Sequence, residues 1–309
     1  MGQSPIKTGI QCKFYSNVPY GGEQRNVFDL WVPATGDAKA LVIYIHGGGF
    51  TGGEKTAAWD SPSKFGIGPS QIKECLMKNV AFASINYSLL SEEENRGVLK
   101  CLNDSRRALQ YLRFYSKDFG FNGQYIGLSG SSAGAGTALW LAFHDDMAVH
   151  SSHDPILEVS TRVTAVAVQE TQSTYDIYRW VDDVFPEGKF SIDKAKKTTL
   201  GKRLLKFYGA SDYTQLESEE FKEYRREVDM LFMISSDDPP LYVLSKRAFN
   251  PEKENKVGNL LHSPYHAVAL RKMCEEQKVY HEVYIADEDK SLSLNQTILS
   301  FLLDQLLAF

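Results

Sequence analysis

No hydrophobic run in the sequence is long enough to cross a membrane. The longest apolar stretches, such as 40–45, have the length of a strand, whereas a membrane-spanning helix needs roughly 18 apolar residues or more. The N-terminal residues MGQSPIKTG contain no hydrophobic signal core. We therefore expect a protein without a membrane span that is cytoplasmic by default, with a secreted mature chain as the open alternative.

Cysteine motifs and clusters of basic residues are also missing. The four cysteines, Cys12, Cys75, Cys101 and Cys274, are far apart and form no C-x-x-C motif, which excludes the common zinc and redox motifs. We expect free, mostly buried thiols, with a disulfide only if the protein is secreted. The net charge of −5 and the absence of a Lys/Arg cluster argue against nucleic-acid binding, because phosphate neutralisation dominates that affinity.

The pattern of the chain is that of an α/β protein. Its 309 residues are 43% hydrophobic and 24% charged, which allows a large core. Strand-like runs at 26–32, 40–46, 80–87, 125–129, 163–169, 241–244 and 279–286 alternate with helical periodicity at 69–78, 98–117, 133–143, 217–229, 264–278 and 293–307. This alternation predicts one domain over 1–309, with a mostly parallel sheet flanked by helices and a site beyond the carboxyl ends of the strands.

One long segment, about 171–234, interrupts this alternation. It lies between two predicted strands and is rich in aromatic residues, among them Tyr175, Trp180 and Phe207. Long connections inside compact domains are often functional. The segment favours a helical lid or cap inserted over the carboxyl edge of the sheet, with a structural side-lobe as the alternative.

A serine stands in a turn between a predicted strand and a predicted helix. The sequence GSSAG at 130–134 fits the pattern G-x-S-x-G, in which a sharp strand-to-helix turn exposes a nucleophilic serine. The flanking glycines allow the tight turn, and the helix N-terminus directs free N–H groups toward developing negative charge. Ser129 and Ser131 lack the second glycine at the right spacing, so the pattern selects Ser132 as the nucleophile.

A second glycine-rich turn follows the strand-like run 40–46. In HGGGF at 46–50, we expect the N–H groups of Gly48 and Gly49, together with that of Ala133 after the nucleophile, to form an oxyanion hole. Such donors contribute about 2.7–4 kcal/mol each to the transition state. The adjoining GGFTGGEKT nearly matches a phosphate-binding loop, but Glu54 stands where that motif has lysine, which argues against nucleotide binding.

These motifs resemble the α/β-hydrolase fold, specifically the hormone-sensitive-lipase-like and the feruloyl- and acetyl-esterase-like carboxylesterases. The resemblance extends from about Phe28 to the C-terminus and is weakest across 171–234. It is carried by HGGGF at 46–50, Ile85-Asn86-Tyr87, Asp104 with Arg106 and Arg107, GSSAG at 130–134, and the turn at 236–240. It implies a serine carboxylesterase that cleaves small-molecule esters through an acyl-enzyme on Ser132, with no cofactor and no metal.

The sequence departs from the family pattern at the general base. The family has a histidine after its last strand, where this chain reads ADEDK at 286–290. His262 precedes Ser263-Pro264, which read as the N-cap and first residue of a helix that follows a strand. His262 is therefore our predicted base, and His266 in the first helical turn is the second candidate.

The acid of the triad is also missing from its usual place near 258–259. Asp237 and Asp238 precede their strand and belong at the opposite edge of the sheet, whereas Glu170, Asp287 and Asp289 follow strands at the active edge. Triads are defined by geometry rather than chain order. We therefore keep Glu170, Asp287 and Asp289 as candidates, including an arrangement in which the base and acid have exchanged loops.

Two further functional readings stay open, the first because of the missing histidine and the second because ester and amide cleavage use the same constellation of residues. One is a catalytically impaired α/β-hydrolase that binds a ligand in the same pocket, and the other is a hydrolase that cleaves amides. A metal is not expected. The polar stretch that holds His144, Asp145, Asp146, His150, His153 and Asp154 has no recognised ligand spacing and predicts a solvated, hydrogen-bonded loop. The oligomeric state is not predicted.

Overall fold

The computed structural model describes residues 2–34, 37–60, 67–93, 95–249, 257–286, 288 and 296–308. Within these ranges, eight strands form one sheet in the order β1-β2-β4-β3-β5-β6-β7-β8. The strands are β1 (Cys12–Pro19), β2 (Val27–Pro33), β3 (Ala40–Ile45), β4 (Val80–Ile85), β5 (Ile126–Ser131), β6 (Ala165–Gln169), β7 (Leu241–Ser245) and β8 (His281–Ile285).

The centre of the sheet is parallel and buried on both faces. The strands β3 to β8 pair in parallel, whereas β2 pairs antiparallel with both β1 and β4. Every residue of β3 (ALVIYI) and of β4 (VAFASI) is buried. Continuous apolar strands of this kind need helices on both sides of the sheet. The predicted α/β class with a mostly parallel sheet is confirmed.

Helices lie on both faces of this sheet, and further helices form the segment between β6 and β7. They are α1 (Pro69–Met77), α2 (Leu99–Phe114), α3 (Ser116–Phe119), α4 (Ala133–Phe143), α5 (Ile192–Lys196), α6 (Thr199–Tyr208), α7 (Tyr213–Leu216), α8 (Glu219–Glu227), α9 (Met230–Met233), α10 (Val257–Leu261), α11 (Pro264–Gln277) and α12 (Ile298–Leu306). Leu102, Leu139 and Leu270 place α2, α4 and α11 in one core cluster. Ile72 and Leu302 place α1 and α12 in a second.

The edge strand β1 is absent from the sequence prediction. Its sequence, CKFYSNVP, has a single buried residue, Phe14, and its pairing with β2 is irregular between Tyr15 and Val18. A half-exposed, irregular strand lacks the period-2 alternation that sequence analysis depends on. The strand is held by its neighbour rather than by its own hydrophobic pattern.

The segment between β6 and β7 folds into several short helices, where the sequence predicted one helix at 217–229. The side chains of Thr198, Asp212, Ser218 and Asp229 accept backbone N–H groups at the starts of α6, α7, α8 and α9. Each of these N-caps begins a new helix and so divides the segment. Its buried aromatic residues belong to the same core cluster as α2 and α4.

The structure also shows the state of the cysteines and the lengths of the apolar helices. All four cysteines are free thiols, and Cys75, Cys101 and Cys274 are buried. In the part of the chain that the structure describes, no helix is long and apolar enough to cross a bilayer.

A buried ion pair fixes the turn that follows the glycine-rich loop. Lys55 Nζ lies 3.0 Å from Asp29 Oδ2, and the two side chains are only 6% and 3% exposed. The other carboxylate oxygen of Asp29 accepts the Asn17 N–H at 2.6 Å. The Lys55 carbonyl in turn accepts the Ser84 hydroxyl at 2.8 Å. These contacts tie the loop at 46–58 to β2 and β4.

Breaking this pair should destabilise the fold strongly. We expect Lys55→Ala to lower the free energy of unfolding by about 3–5 kcal/mol, because Asp29 would remain buried without its counter-ion. Lys222→Ala is the matched control, since Lys222 pairs with Glu219 at the surface and should cost at most about 1 kcal/mol. Urea denaturation of the three proteins measures the difference, and similar losses in both variants would contradict this account.

Candidate active site

The turn at Ser132 is sharply bent and crowded. Ser132 has φ 54° and ψ −122° between the end of β5 and the start of α4. A Cβ added to Gly130 would lie 2.3 Å from the Gly134 carbonyl oxygen, and one added to Gly134 would lie 2.1 Å from the Ile45 carbonyl oxygen. No side chain fits at either position. The two glycines of the G-x-S-x-G pattern are therefore required by close backbone approach.

His262 is the histidine that faces this serine. Its Nε2 lies 2.7 Å from Ser132 Oγ, and its Nδ1 lies 3.0 Å from the carbonyl oxygen of Gly258 in α10. A carbonyl can only accept a hydrogen bond, so Nδ1 carries the proton and Nε2 is left to accept from the serine hydroxyl. The next residue, Ser263, caps α11 by accepting the Tyr265 N–H, so the helix start positions the imidazole.

The surroundings of His262 favour its neutral form. Burial, and secondly the charge of Arg247, lower the pKa of His262 to about 4, although the hydrogen bond to the Gly258 carbonyl acts in the opposite direction. The imidazole is therefore neutral near pH 7 and able to accept a proton. A neutral histidine within hydrogen-bond reach of a serine hydroxyl is the arrangement that general-base catalysis needs.

Glu170 does not contact His262, so the expectation that Glu170 serves as the acid of the triad is not met. Its carboxylate accepts the Lys246 N–H at 2.8 Å and Arg247 Nε at 3.0 Å. Arg247 Nη1 then donates to the Gly258 carbonyl oxygen at 3.2 Å. Glu170 directly follows β6 and Arg247 is the second residue after the neighbouring strand β7, so their side chains meet at the same edge of the sheet.

The other candidate carboxylates lie elsewhere. Asp237 and Asp238 both pair with Arg162, which precedes β6, so they belong to the opposite edge of the sheet as predicted. Asp287 and Asp289 lie outside the described residues. The hydrogen bond from Nδ1 to a backbone carbonyl was not anticipated. The sequence signal for the surrounding network is weak: Glu170 directly follows a strand, and Arg247 comes two residues after the end of another.

His266, the second candidate for the base, is fully buried away from Ser132. Its Nδ1 accepts the Ser173 N–H at 3.2 Å, and its Nε2 lies 3.1 Å from the Leu260 carbonyl oxygen. Its ring packs edge-on against Trp180. Burial lowers the pKa of His266 to about 3. His266 thus joins the segment after β6 to the turn that carries His262.

His266 should make stability depend on pH. The folded protein protonates it only near pH 3, whereas the unfolded chain does so near 6.5. The unfolded state binds more protons between these values, so His266 contributes stability that is full above pH 6.5 and is lost as the pH falls. His46 and His262, whose pKa values are also lowered, contribute to the same pH dependence, so we expect His266→Gln to reduce the slope by about 1.4 kcal/mol per pH unit rather than to abolish it.

Urea unfolding at a series of pH values measures this slope. His150→Gln, at an exposed histidine, is the control and should leave the slope unchanged. An identical pH dependence in His266→Gln and the wild type would show that the buried histidine does not govern acid stability.

The glycine-rich loop after β3 lines the same cavity as the serine. Gly48 has φ 115° and Gly49 has φ 61°, and a Cβ at Gly48 would lie 2.2 Å from the Gly52 carbonyl oxygen. Within the described residues, no protein acceptor takes the N–H of Gly48 or Gly49. The N–H of Ala133 belongs to the first turn of α4, where helical partners are lacking. All three residues line one cavity with Ser132 and His262.

Polar side chains from other parts of the chain hold the glycine-rich loop in place. Arg25 Nη1 pairs with Glu54 at 2.9 Å, and Arg25 Nη2 donates to the Gly53 carbonyl oxygen at 2.9 Å. Glu54 also accepts the side-chain amide of Asn86. Burial lowers the pKa of His46 to about 4, so this ring, stacked on Tyr87, is neutral. Glu54 is thus a structural counter-ion within the loop.

The cavity above Ser132 has a volume of about 380 Å³. Much of its wall comes from the segment between β6 and β7, including Tyr175, Trp180 and Phe207. Tyr175 Oη donates to the Ala133 carbonyl oxygen at 2.9 Å. The segment is thereby attached to the first turn of α4, and it gives the site an aromatic wall.

The polar stretch at 144–154 is used for structural hydrogen bonds. His144 pairs with Glu227 at 3.4 Å, Asp146 accepts the Thr161 N–H at 2.8 Å, and Asp154 pairs with Arg107. Over the described ranges, no group of three or more His, Cys, Asp or Glu side chains is placed to hold a metal ion.

Comparison with known proteins agrees with the fold and identifies the family. The sequence matches the BD-FAE family model over residues 28–245, whereas comparison with curated proteins gives no significant match. A truncated carbohydrate esterase from gut microbiota is 15% identical, with a TM-score of 0.64 over 92% of this chain and 90% of that chain.

Two further solved structures show the same likeness. An inhibited esterase B from Lactobacillus rhamnosis is 17% identical, with a TM-score of 0.55 over 96% of this chain and 84% of that chain. Thermogutta terrifontis esterase 2 phosphonylated by sarin is 16% identical, with a TM-score of 0.59 over 92% and 86%. At these identities the likeness concerns the fold, and the matched family model decides the assignment: this chain belongs to the BD-FAE family, an α/β-hydrolase-type esterase family.

Proposed function

We propose that the chain hydrolyses carboxylic esters of small molecules through an acyl-enzyme on Ser132. The observation that carries this proposal is the 2.7 Å contact between Ser132 Oγ and His262 Nε2, at a cavity that the N–H-bearing residues Gly48, Gly49 and Ala133 also line. A nucleophile, a neutral base and oxyanion donors are the parts that acyl transfer requires.

The reaction follows from these positions. As Ser132 Oγ attacks the ester carbonyl, its proton moves to His262 Nε2, and the N–H groups of Gly48, Gly49 and Ala133 hold the oxyanion. His262 then gives that proton to the leaving alkoxide, which departs as the alcohol. A water molecule gives a proton to the same nitrogen as it attacks the acyl-enzyme, and His262 then passes that proton to Ser132 Oγ as the carboxylic acid leaves, which restores the free serine.

The orientation of His262 comes, in this proposal, from a backbone carbonyl rather than from a carboxylate. Nδ1–H donates to the Gly258 oxygen, which also accepts Arg247 Nη1, and Arg247 is held in turn by Glu170. Glu170 has φ 51°, an uncommon conformation for a residue other than glycine. We assign Arg247 and Glu170 as positioning residues that fix the carbonyl and hence the ring.

The segment between β6 and β7 acts as a cap in this proposal, within a single domain. Its aromatic residues share the main core with the sheet, and it lines the cavity beside the nucleophile. Gln172 donates its side-chain amide to the Leu261 carbonyl oxygen, next to His262. The cap therefore excludes water and supports the base at the same time.

The family assignment does not favour the alternative of a ligand-binding protein without activity. The neutral base beside Ser132 also supports turnover. Ester and amide cleavage use the same groups, so amide cleavage is tested by comparing an ester with its matched amide.

Removing the nucleophile should abolish turnover. We expect the wild type to hydrolyse 4-nitrophenyl acetate, and Ser132→Ala or His262→Ala to lower kcat/KM by at least about 1,000-fold, because removing either partner of a catalytic Ser–His pair disables it. Release of 4-nitrophenolate at 400 nm gives the rates.

Ser129→Ala is the control for this assay, because Ser129 is a buried neighbour in β5. It should retain near wild-type activity. Equal activity in Ser132→Ala and the wild type would exclude Ser132 as the nucleophile.

The positioning role of Arg247 predicts a shift in the pH profile. The base is active when neutral, so kcat/KM should fall as the pH drops through the pKa of His262, about 4. Arg247→Met removes a positive charge that lowers this pKa, so the acid limb should move to higher pH. We also expect kcat to fall roughly 10–100-fold, as for a misplaced catalytic group.

Lys246→Met is the matched control, because Lys246 contributes only its backbone N–H to Glu170. Its acid limb should coincide with that of the wild type. An unmoved limb in Arg247→Met would contradict the proposed network, and a merely structural loss would lower activity without moving the limb.

A further inference from the structure

Two basic side chains on one helix line the cavity above Ser132. Arg203 and Lys206 lie one turn apart in α6. Leu200 and Leu204 of the same helix also line the cavity. The helix thus combines apolar wall and positive charge on the side that faces the site.

The charged side chains that line the cavity are all basic. Among the described residues that line it, none is Asp or Glu, and Arg203, Lys206 and His262 are the basic ones. His262 is neutral near pH 7 because burial lowers its pKa to about 4. The two α6 cations therefore make the wall positive in a chain whose net charge is −5.

Both cations keep hydrogen-bonding capacity for a ligand. In the described part of the chain, Arg203 has no hydrogen bond or ion pair with another side chain. Lys206 Nζ lies 2.7 Å from Glu92, but that glutamate is 95% exposed, so the ion pair is at the surface and contributes little. The three donors of the ammonium exceed what one carboxylate oxygen occupies.

The remaining wall strengthens the field of these charges. Aromatic and aliphatic side chains, including Phe50, Ile177 and Leu261, line the same cavity. Low-dielectric walls focus a charge on the space between them and concentrate ligands of opposite sign. A guanidinium adds a planar pair of donors that matches a carboxylate.

We propose that the ester substrate carries a carboxylate, which Arg203 binds with the help of Lys206 while Ser132 attacks the ester carbonyl. The proposal rests on the proposed esterase function and adds the class of substrate to it. The carboxylate belongs to either the acyl or the alcohol half of the ester, and the two halves are tested separately.

Matched pairs of esters test this preference. For the acyl half, mono-4-nitrophenyl adipate is compared with its neutral isostere, 4-nitrophenyl 6-methylheptanoate. For the alcohol half, 4-acetoxybenzoate is compared with 4-acetoxybenzamide. We expect kcat/KM to favour the anionic member at least about tenfold in one pair, and this ratio to fall in about 0.5 M NaCl, which screens exposed charges.

Substitutions in α6 identify the side chain that causes the preference for the anionic ester. Arg203→Gln should lower the ratio of anionic to neutral kcat/KM at least about fivefold, with the loss mainly in KM, and Lys206→Gln should lower it less, because a lysine forms no bidentate pair. Lys202→Gln is the control, since Lys202 is exposed on the same helix and does not line the cavity. Its ratio should match the wild type.

Binding without turnover separates this inference from the esterase function. Trp180 lines the cavity, so quenching of tryptophan fluorescence reports binding of the nitrophenyl esters to Ser132→Ala. Tighter binding of the adipate monoester, weakened by Arg203→Gln in the same background, supports the inference even if no ester is turned over. Equal or weaker binding of the adipate monoester together with no preference for 4-acetoxybenzoate over 4-acetoxybenzamide, or a ratio that Arg203→Gln leaves unchanged, overturns it.

Discussion

The backbone of Ser132 carries the constraint on which the site depends. A residue with a side chain at φ 54° and ψ −122° is strained by about 1–3 kcal/mol and persists only when its surroundings impose it. Here the surroundings are the end of β5, the start of α4 and the close approach of Gly134 to the Ile45 carbonyl. Only this bend places the hydroxyl beyond the sheet edge, where a base and oxyanion donors from other elements converge.

The base comes from a different part of the chain than the family pattern gives. His262 lies between α10 and α11, after β7, and its Nδ1 faces the Gly258 carbonyl. A carbonyl orients the ring but carries no full negative charge to offset burial, and burial, followed by the charge of Arg247, lowers the pKa of His262. The Glu170–Arg247 ion pair balances that charge while fixing the loop. A base that stays neutral to low pH is the consequence.

Local motifs could be predicted from the sequence, whereas contacts between distant elements could not. Tight turns leave direct signals, so GSSAG and HGGGF predicted the positions of Ser132, Gly48 and Gly49, and Ser263-Pro264 predicted the helix start beside His262. The edge strand β1 has no such signal, because it is mostly exposed. The contact of Glu170 with Arg247 depends on the pairing of β6 with β7, which no local pattern encodes.

The most direct test of the central claim is covalent trapping of the nucleophile. The protein is incubated with a 4-nitrophenyl alkylphosphonate, and the intact mass and the labelled peptide are determined by mass spectrometry. The account predicts one phosphonyl group per chain, on Ser132, and much slower labelling of His262→Ala because the hydroxyl then lacks its base. A label on another residue, or equal labelling of Ser132→Ala, would contradict it.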